Sequence, residues 1–418
     1  MATPMLVTRR AWLLSTAGSA FAAVASHRRI AAVQDGTAGD VEGRLSRIID
    51  EYARQGFHRT GTTVDRVSGD WLCEQVRQTG LAPAREPFSL SRVDPVSNVL
   101  IAADRRIEGV PLFDSAFTDR GGIRGRLGAL QGDREIGLAE TAPNAAAAGP
   151  LGDVRRTNRH RAIVCVTGGQ RPGLCPSNAD FFSRPFGPPV LQVSSDERSW
   201  LTERARLGVD VQLICHVART RATAVNVTAT IKGVDPLLPP LVISTPRSGW
   251  YWCASERGGG IACWLEAMRA LRNVRPARDV VFVAFSGHEL GSLGIHAFAD
   301  RRPAVISKAA AWIHFGANIG AATDPGNRLA ASDDDLDSLA SRAMASAGLS
   351  VDQRIPRGGI PGGEAEVVHH GGGRYVAVTG RNALFHNLAD RGPHAVNTSV
   401  IARFSTAFIA AAKSISAP

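Results

Sequence analysis

The chain has 418 residues, 44% of them hydrophobic, with 43 Gly, 23 Pro and 6 Cys. That length allows about two or three domains of ordinary size, and the apolar fraction excludes disorder, a collagen-like fibre and a disulfide-stapled mini-protein. The formal charge of +10 does not indicate nucleic acid as a partner, because only Lys232, Lys308 and Lys413 are lysine among 48 basic residues and the arginines are scattered near acidic residues rather than set in runs.

At the start, Thr8-Arg9-Arg10-Ala11-Trp12-Leu13-Leu14 puts a twin arginine before an apolar stretch that reaches Ala25, with small residues at Ala23-Val24-Ala25. Residues 1–33 read as a twin-arginine export signal, so the mature chain is expected in the periplasm or outside the cell. The stretch is short for a membrane span, and no later segment is apolar for long enough to cross a bilayer. Export permits disulfides, yet six cysteines without a CxxC make neither a disulfide framework nor a zinc finger. Buried free thiols are expected for most of them.

Helices are expected over Val41 to Tyr52 and Val64 to Thr79, the second ending at Gly80, followed by strands near Pro87 to Leu90 and Asn98 to Ala102. From Val110 to Ala222 the texture changes to short β-rich runs such as Ala162 to Val166 and Val209 to Ile214, broken by Gly and Pro, as in a small inserted domain. Strand and helix then alternate: Leu241 to Ser244, Ile261 to Arg272, Asp279 to Phe285, Ala309 to Ile313, Asp334 to Ala347, Tyr375 to Val378 and Thr398 to Ser414. This pattern predicts an α/β fold with a mostly parallel or mixed central sheet flanked by helices, built from residues 41–109 and 223–418 around an insert at 110–222.

Open α/β sheets bind ligands beyond the carboxyl ends of their strands. The expected strands there deliver Thr245-Pro246-Arg247, Ser286-Gly287-His288-Glu289, His314 and Phe385-His386-Asn387, and Glu256 precedes three glycines at a helix start. Two carboxylates and three imidazoles converging on one edge make a metal-ligand set, with zinc the leading candidate. Taken singly, Glu256 also suits a helix first turn, and His314 or His386 a structural role. The sequence lacks HExxH, GxSxG and a GxGxxG after the first strand, which argues against a zincin helix, a nucleophilic serine and a dinucleotide cofactor.

These residues resemble the M28 family of zinc peptidases, mostly co-catalytic aminopeptidases. The resemblance lies in His58-Arg59-Thr60-Gly61-Thr62 with Asp70-Trp71-Leu72, in Asn226 to Gly233, and in Phe282 to Gly291. It implies a zinc-exopeptidase fold, and for region 110–222 a protease-associated insert. Carried over by position, the family's first His-x-Asp ligand segment is Thr245-Pro246-Arg247 here, and its bridging aspartate is Glu256. The Glu-Glu pair becomes His288-Glu289, the later aspartate His314 and the final histidine His386. The resemblance thus implies one zinc on Glu256, Glu289 and His386, with His314 nearby, and is similar to the mononuclear arrangement of glutaminyl cyclases.

With that site, His288 replaces the general base, since an imidazole of ordinary pKa about 6.5 can accept a proton near neutrality. Arg247 is expected to clamp a substrate anion, and Glu364, beside the Gly358 to Gly363 run, to read the substrate. The expected activity is hydrolysis of an amide or related bond in a small, anionic or peptide substrate by a single-zinc metallohydrolase. The alternatives are a mononuclear zinc enzyme with acyl-transfer, cyclising or lyase chemistry, and an inactive binding protein.

Overall fold

The computed structural model describes residues 38–103 and 105–417; the twin-arginine segment lies outside the described residues. The central sheet runs in the order Gln353–Arg354, Asn327–Ala331, Tyr375–Gly380, Ala311–Phe315, Leu241–Pro246, Val280–Phe285 and Asp210–Ile231. Its middle is parallel: Leu241–Pro246 pairs in parallel with both Val280–Phe285 and Ala311–Phe315, and Ala311–Phe315 with Tyr375–Gly380. Asn327–Ala331 and Asp210–Ile231 flank it antiparallel. The result is an α/β fold with a curled, mixed sheet.

The middle strands are apolar without alternation because both faces are covered. Leu241, Ile243, Phe282, Ile313 and Phe315 point into one core with Trp264 of helix Gly258–Leu271 and Phe404 of helix Thr398–Ser416. Val242, Val283, Phe285 and Trp312 point the other way, onto Phe298 and Val368 of helices Leu293–Asp300 and Glu364–His370. Helix Gly258–Leu271 is buried on nearly every side, which explains its lack of a polar stripe.

The expected short strands at Pro87 to Leu90 and Asn98 to Ala102 are one long strand, Ala84–Ile101, and the run at Val209 to Ile214 belongs to a second, Asp210–Ile231, the two paired antiparallel along their length with one irregularity between Pro95 and Ser97. They run out of the core and carry the inserted region, where Ile123–Ala129, Ile136–Thr141, Ala162–Thr167 and Val190–Ser194 continue the sheet. This region also holds helices Gly149–Thr157 and Arg198–Leu207, so it is α/β in texture. All six cysteines are buried and free. Among the described residues no helix is long and apolar enough to cross a membrane.

Candidate functional site

The carboxyl ends of the parallel strands open onto a cleft of about 620 Å³ lined in part by His288, His314, Asp180, Glu366, Arg328 and Phe385. Two adjoining groups of buried charge stand behind it, and of their members only His288 and His314 line the cleft. In the first, Glu364 stands between two imidazoles, with Oε1 3.1 Å from His288 Nδ1 and Oε2 3.5 Å from His314 Nε2. Glu364 is the first residue of a helix whose N-cap, Gly363, has φ +67°, a backbone state suited to glycine. Ser244 Oγ lies 3.0 Å from His314 Nδ1 and fixes that ring.

The second group is Glu256, Arg257 and His386. Glu256 is held by its backbone N–H, which donates to Asp390 Oδ2 at 3.0 Å, while Asp390 Oδ1 accepts from Ser255 N–H and Oγ–H at 2.9 and 2.6 Å. Arg257 Nη2 lies 2.7 Å from Glu256 Oε1, a charge contact without the alignment of a directed hydrogen bond. His386 Nε2 is 3.3 Å from the same oxygen. Its Nδ1 sits 2.6 Å from the Pro176 carbonyl and so carries the proton, leaving Nε2 to face a carboxylate either bare or as imidazolium.

Burial opposes ionisation of both acids, yet their neighbours prevail. His288, with smaller help from His314 and Arg257, brings Glu364 down to about 2. Arg257 and His386 hold Glu256 well below the ordinary carboxylate range. Burial keeps His314 neutral, at about 4, although Glu364 pulls the other way. Asp390 is raised to about 6 by burial, against the hydrogen bonds from Ser255.

Of the residues expected at the site, the structure brings together Glu256, His386, His288, His314 and Glu364. It does not bring Glu289 or Arg247 to them. Glu289 is fully buried and both its oxygens are taken: Thr60 N–H donates to Oε1 at 2.6 Å and Ser248 Oγ–H to Oε2 at 2.7 Å. Arg247 turns toward the helix Thr63–Gln78, where it donates to the Val225 carbonyl and lies 3.0 Å from Asp65 Oδ1. The expected anion clamp is therefore a strut between strand and helix.

The sequence reading missed Arg257, Ser248, Thr60 and Asp390. Arg257 carried a signal, since it is the N-cap of helix Gly258–Leu271, where a cation opposes the helix dipole and needs a carboxylate beside it. A zinc ion on Glu256, Glu289 and His386 is not supported by these contacts: one carboxylate holds a protein donor on each oxygen, apart from the other two residues, and the other carboxylate is paired with a guanidinium. Among the described residues, no group of three or more His, Cys, Asp or Glu side chains is placed to hold a metal.

Residues 244–409 match the model of Peptidase family M28. A zinc aminopeptidase from Bacillus subtilis superposes with a TM-score of 0.74 at 14% identity, over 90% of this chain and 95% of that one. An aminopeptidase from Aneurinibacillus sp. strain AM-1 gives 0.70 at 14% identity, over 90% and 94%. A peptidase M28 precursor from Shewanella amazonensis SB2B gives 0.68 at 16%, over 91% and 96%. At these identities the likeness is one of fold. No curated protein sequence matches the chain.

Proposed function

We propose that the chain is an exported hydrolase-like protein on the M28 fold, in which the His288–Glu364 pair transfers protons to and from a small or peptide substrate lodged in the cleft. The observation that carries this reading is the 3.1 Å contact between Glu364 Oε1 and His288 Nδ1. His288 is 10% exposed, where Glu256, Glu364, His314 and His386 are at most 1% exposed. An ionised carboxylate on Nδ1 fixes the ring and stabilises the imidazolium formed when Nε2 takes a proton.

Proton transfer of this kind contributes about 10²–10⁴ in rate, which falls short of what an unactivated peptide bond demands. The magnitude favours an ester or an activated amide over an ordinary peptide. No step runs through zinc, because Glu289 is spent on Thr60 and Ser248. The region 110–222 is read as a protease-associated-like insert, and its Pro176 carbonyl reaches the cluster behind the cleft by fixing His386.

A panel of small chromogenic esters and aminoacyl anilides tests the reading. Esters and, more slowly, the activated anilides should turn over while an unactivated dipeptide should not, and His288→Ala should lower kcat at least about tenfold, the low end for acid–base catalysis, with KM little changed. Equal turnover by His288→Ala would refute it. A second reading, recognition without turnover, is favoured by the salt bridge that neutralises Glu256, and it stands if no ester is cleaved.

A further inference from the structure

We propose that the guanidinium of Arg257 is the resident cation of the buried cluster behind this cleft, built into the chain where a zinc ion bound to Glu256 and His386 would have to sit. The inference rests on the same cleft as the proposed function but concerns its metal chemistry, which is read without any turnover assay. Glu256 Oε1 is approached by two groups, Arg257 Nη2 at 2.7 Å and His386 Nε2 at 3.3 Å. Zinc would need to come within about 2.0–2.2 Å of that oxygen and about 2.0–2.1 Å of the imidazole nitrogen. An arginine nitrogen already in contact with the oxygen meets such an ion with like charge.

The guanidinium has nowhere to go. Arg257 is 0% exposed, and its Nε–H donates to the Ser248 carbonyl at 2.7 Å. The segment that carries it is clamped as well, for a Cβ at Gly259 would lie 1.9 Å from the Ile319 carbonyl oxygen and one at Gly260 2.7 Å from Thr245 Oγ1. Arginine does not lose its charge at accessible pH. It therefore cannot yield the site by deprotonating, as a buried lysine would.

The remaining acid, Glu289, which would be the third ligand, is missing from the site for a related reason. Ser248 donates its hydroxyl proton to Glu289 Oε2 while its carbonyl accepts from Arg257. One residue thus ties the guanidinium in place and keeps Glu289 from the cluster. Arg257 is the chief partner that keeps Glu256 ionised, while Glu364 is kept ionised chiefly by His288, with smaller help from His314 and Arg257. The fixed guanidinium supplies at Glu256 the counter-charge that a metal ion would otherwise supply there.

The test is zinc titration and thermal unfolding of the full mature chain, with and without chelator. The wild type should take up no stoichiometric zinc, and chelator should leave its unfolding midpoint unchanged. Glu256→Gln should lower the midpoint by about 4–6 °C, because it leaves a buried guanidinium unpaired, and Glu256→Gln with Arg257→Met should recover most of that loss. Arg257→Asn, which leaves Glu256 without its cation, should bind zinc at least about tenfold more tightly than wild type, whereas Arg257→Lys should not. Stoichiometric zinc in the wild type, lost in His386→Ala, would overturn the inference. So would an additive double variant, or an Arg257→Asn chain that binds zinc no better than wild type.

Discussion

His58 offers the sharpest check on the electrostatics of the core beneath the cleft. Its ring is fully buried and stacked on Tyr52, centroids 3.8 Å apart, and its Nε2–H donates to the Tyr52 carbonyl at 3.0 Å. Nδ1 has no partner. Burial, and after it the charges of Arg247 and Arg257, push the pKa from 6.5 down to about 3. The ring is therefore neutral in the fold across a range in which the unfolded chain, at about 6.5, takes up a proton. The sign follows: this stability is fully present above pH 6.5 and is lost as pH falls through 6.5 toward 3. The whole difference corresponds to about 5 kcal/mol, of which about 2 kcal/mol is lost between pH 8 and pH 5. His58→Phe keeps the stacked ring and removes the titration, at a pH-independent cost of about 1 kcal/mol for the lost hydrogen bond. Urea unfolding of both proteins at pH 8 and pH 5 should show the wild type losing about 2 kcal/mol more than the variant. Parallel profiles would refute the argument that His58 is held neutral.

Two further perturbations test the packing around the site and the insert. Gly259→Ala would gain about 1 kcal/mol of helix propensity, but its Cβ would meet the Ile319 carbonyl oxygen at 1.9 Å, and overpacking of that kind costs about 1–3 kcal/mol or more. A lower calorimetric midpoint is expected, and a raised one would show that the helix start has room to shift. In the insert, Asp114 Oδ1 lies 2.7 Å from Arg155 Nη2 with both side chains fully buried. Asp114→Ala should cost about 3–5 kcal/mol in denaturant unfolding and Asp114→Ala with Arg155→Met distinctly less than the sum, whereas a loss under about 1 kcal/mol would mean that the carbonyls of Ala146 and Phe186 suffice for the guanidinium.

The parallel core was legible because its strands are buried on both faces: the unbroken run at Val280–Phe285 and the glycine-headed helix Gly258–Leu271 gave location and order together. Strand Asn327–Ala331, five residues long with polar flanks, had no such signature, and helix Glu364–His370 was hidden behind the glycines before it. The long strands were read as short ones because Pro95 and the polar residues around it resemble a turn, although the ladder continues past them. At the site, the sequence told which side chains leave the strand ends but not which way they turn. The partner that captures Arg247 lies 182 positions earlier, at Asp65, and the one that captures Glu289 lies 229 positions earlier, at Thr60. Direction at that range is set by tertiary contacts that no local spacing carries.

The charge content of this region has a bearing on function. Glu256, Arg257, Glu289, Arg247, His314, Glu364 and His386 are each at most 1% exposed. Desolvating such groups costs several kcal/mol apiece, and a buried ion pair often contributes no more than apolar residues of the same volume. Stability alone therefore gives a weak account of the cluster. Two of these residues, Arg247 and Glu289, stand apart from the rest, hydrogen-bonded to the fold as struts. The others are not: Glu256 Oε1, Glu364 Oε2, His314 Nε2 and His386 Nε2 are buried atoms without a hydrogen-bond partner, and they lie with His288 and Arg257 behind the cleft, which His288 and His314 line. Charge contacts that lack aligned hydrogen bonds, concentrated behind the end of a parallel sheet, favour a role for this cluster in meeting a ligand through His288 and His314.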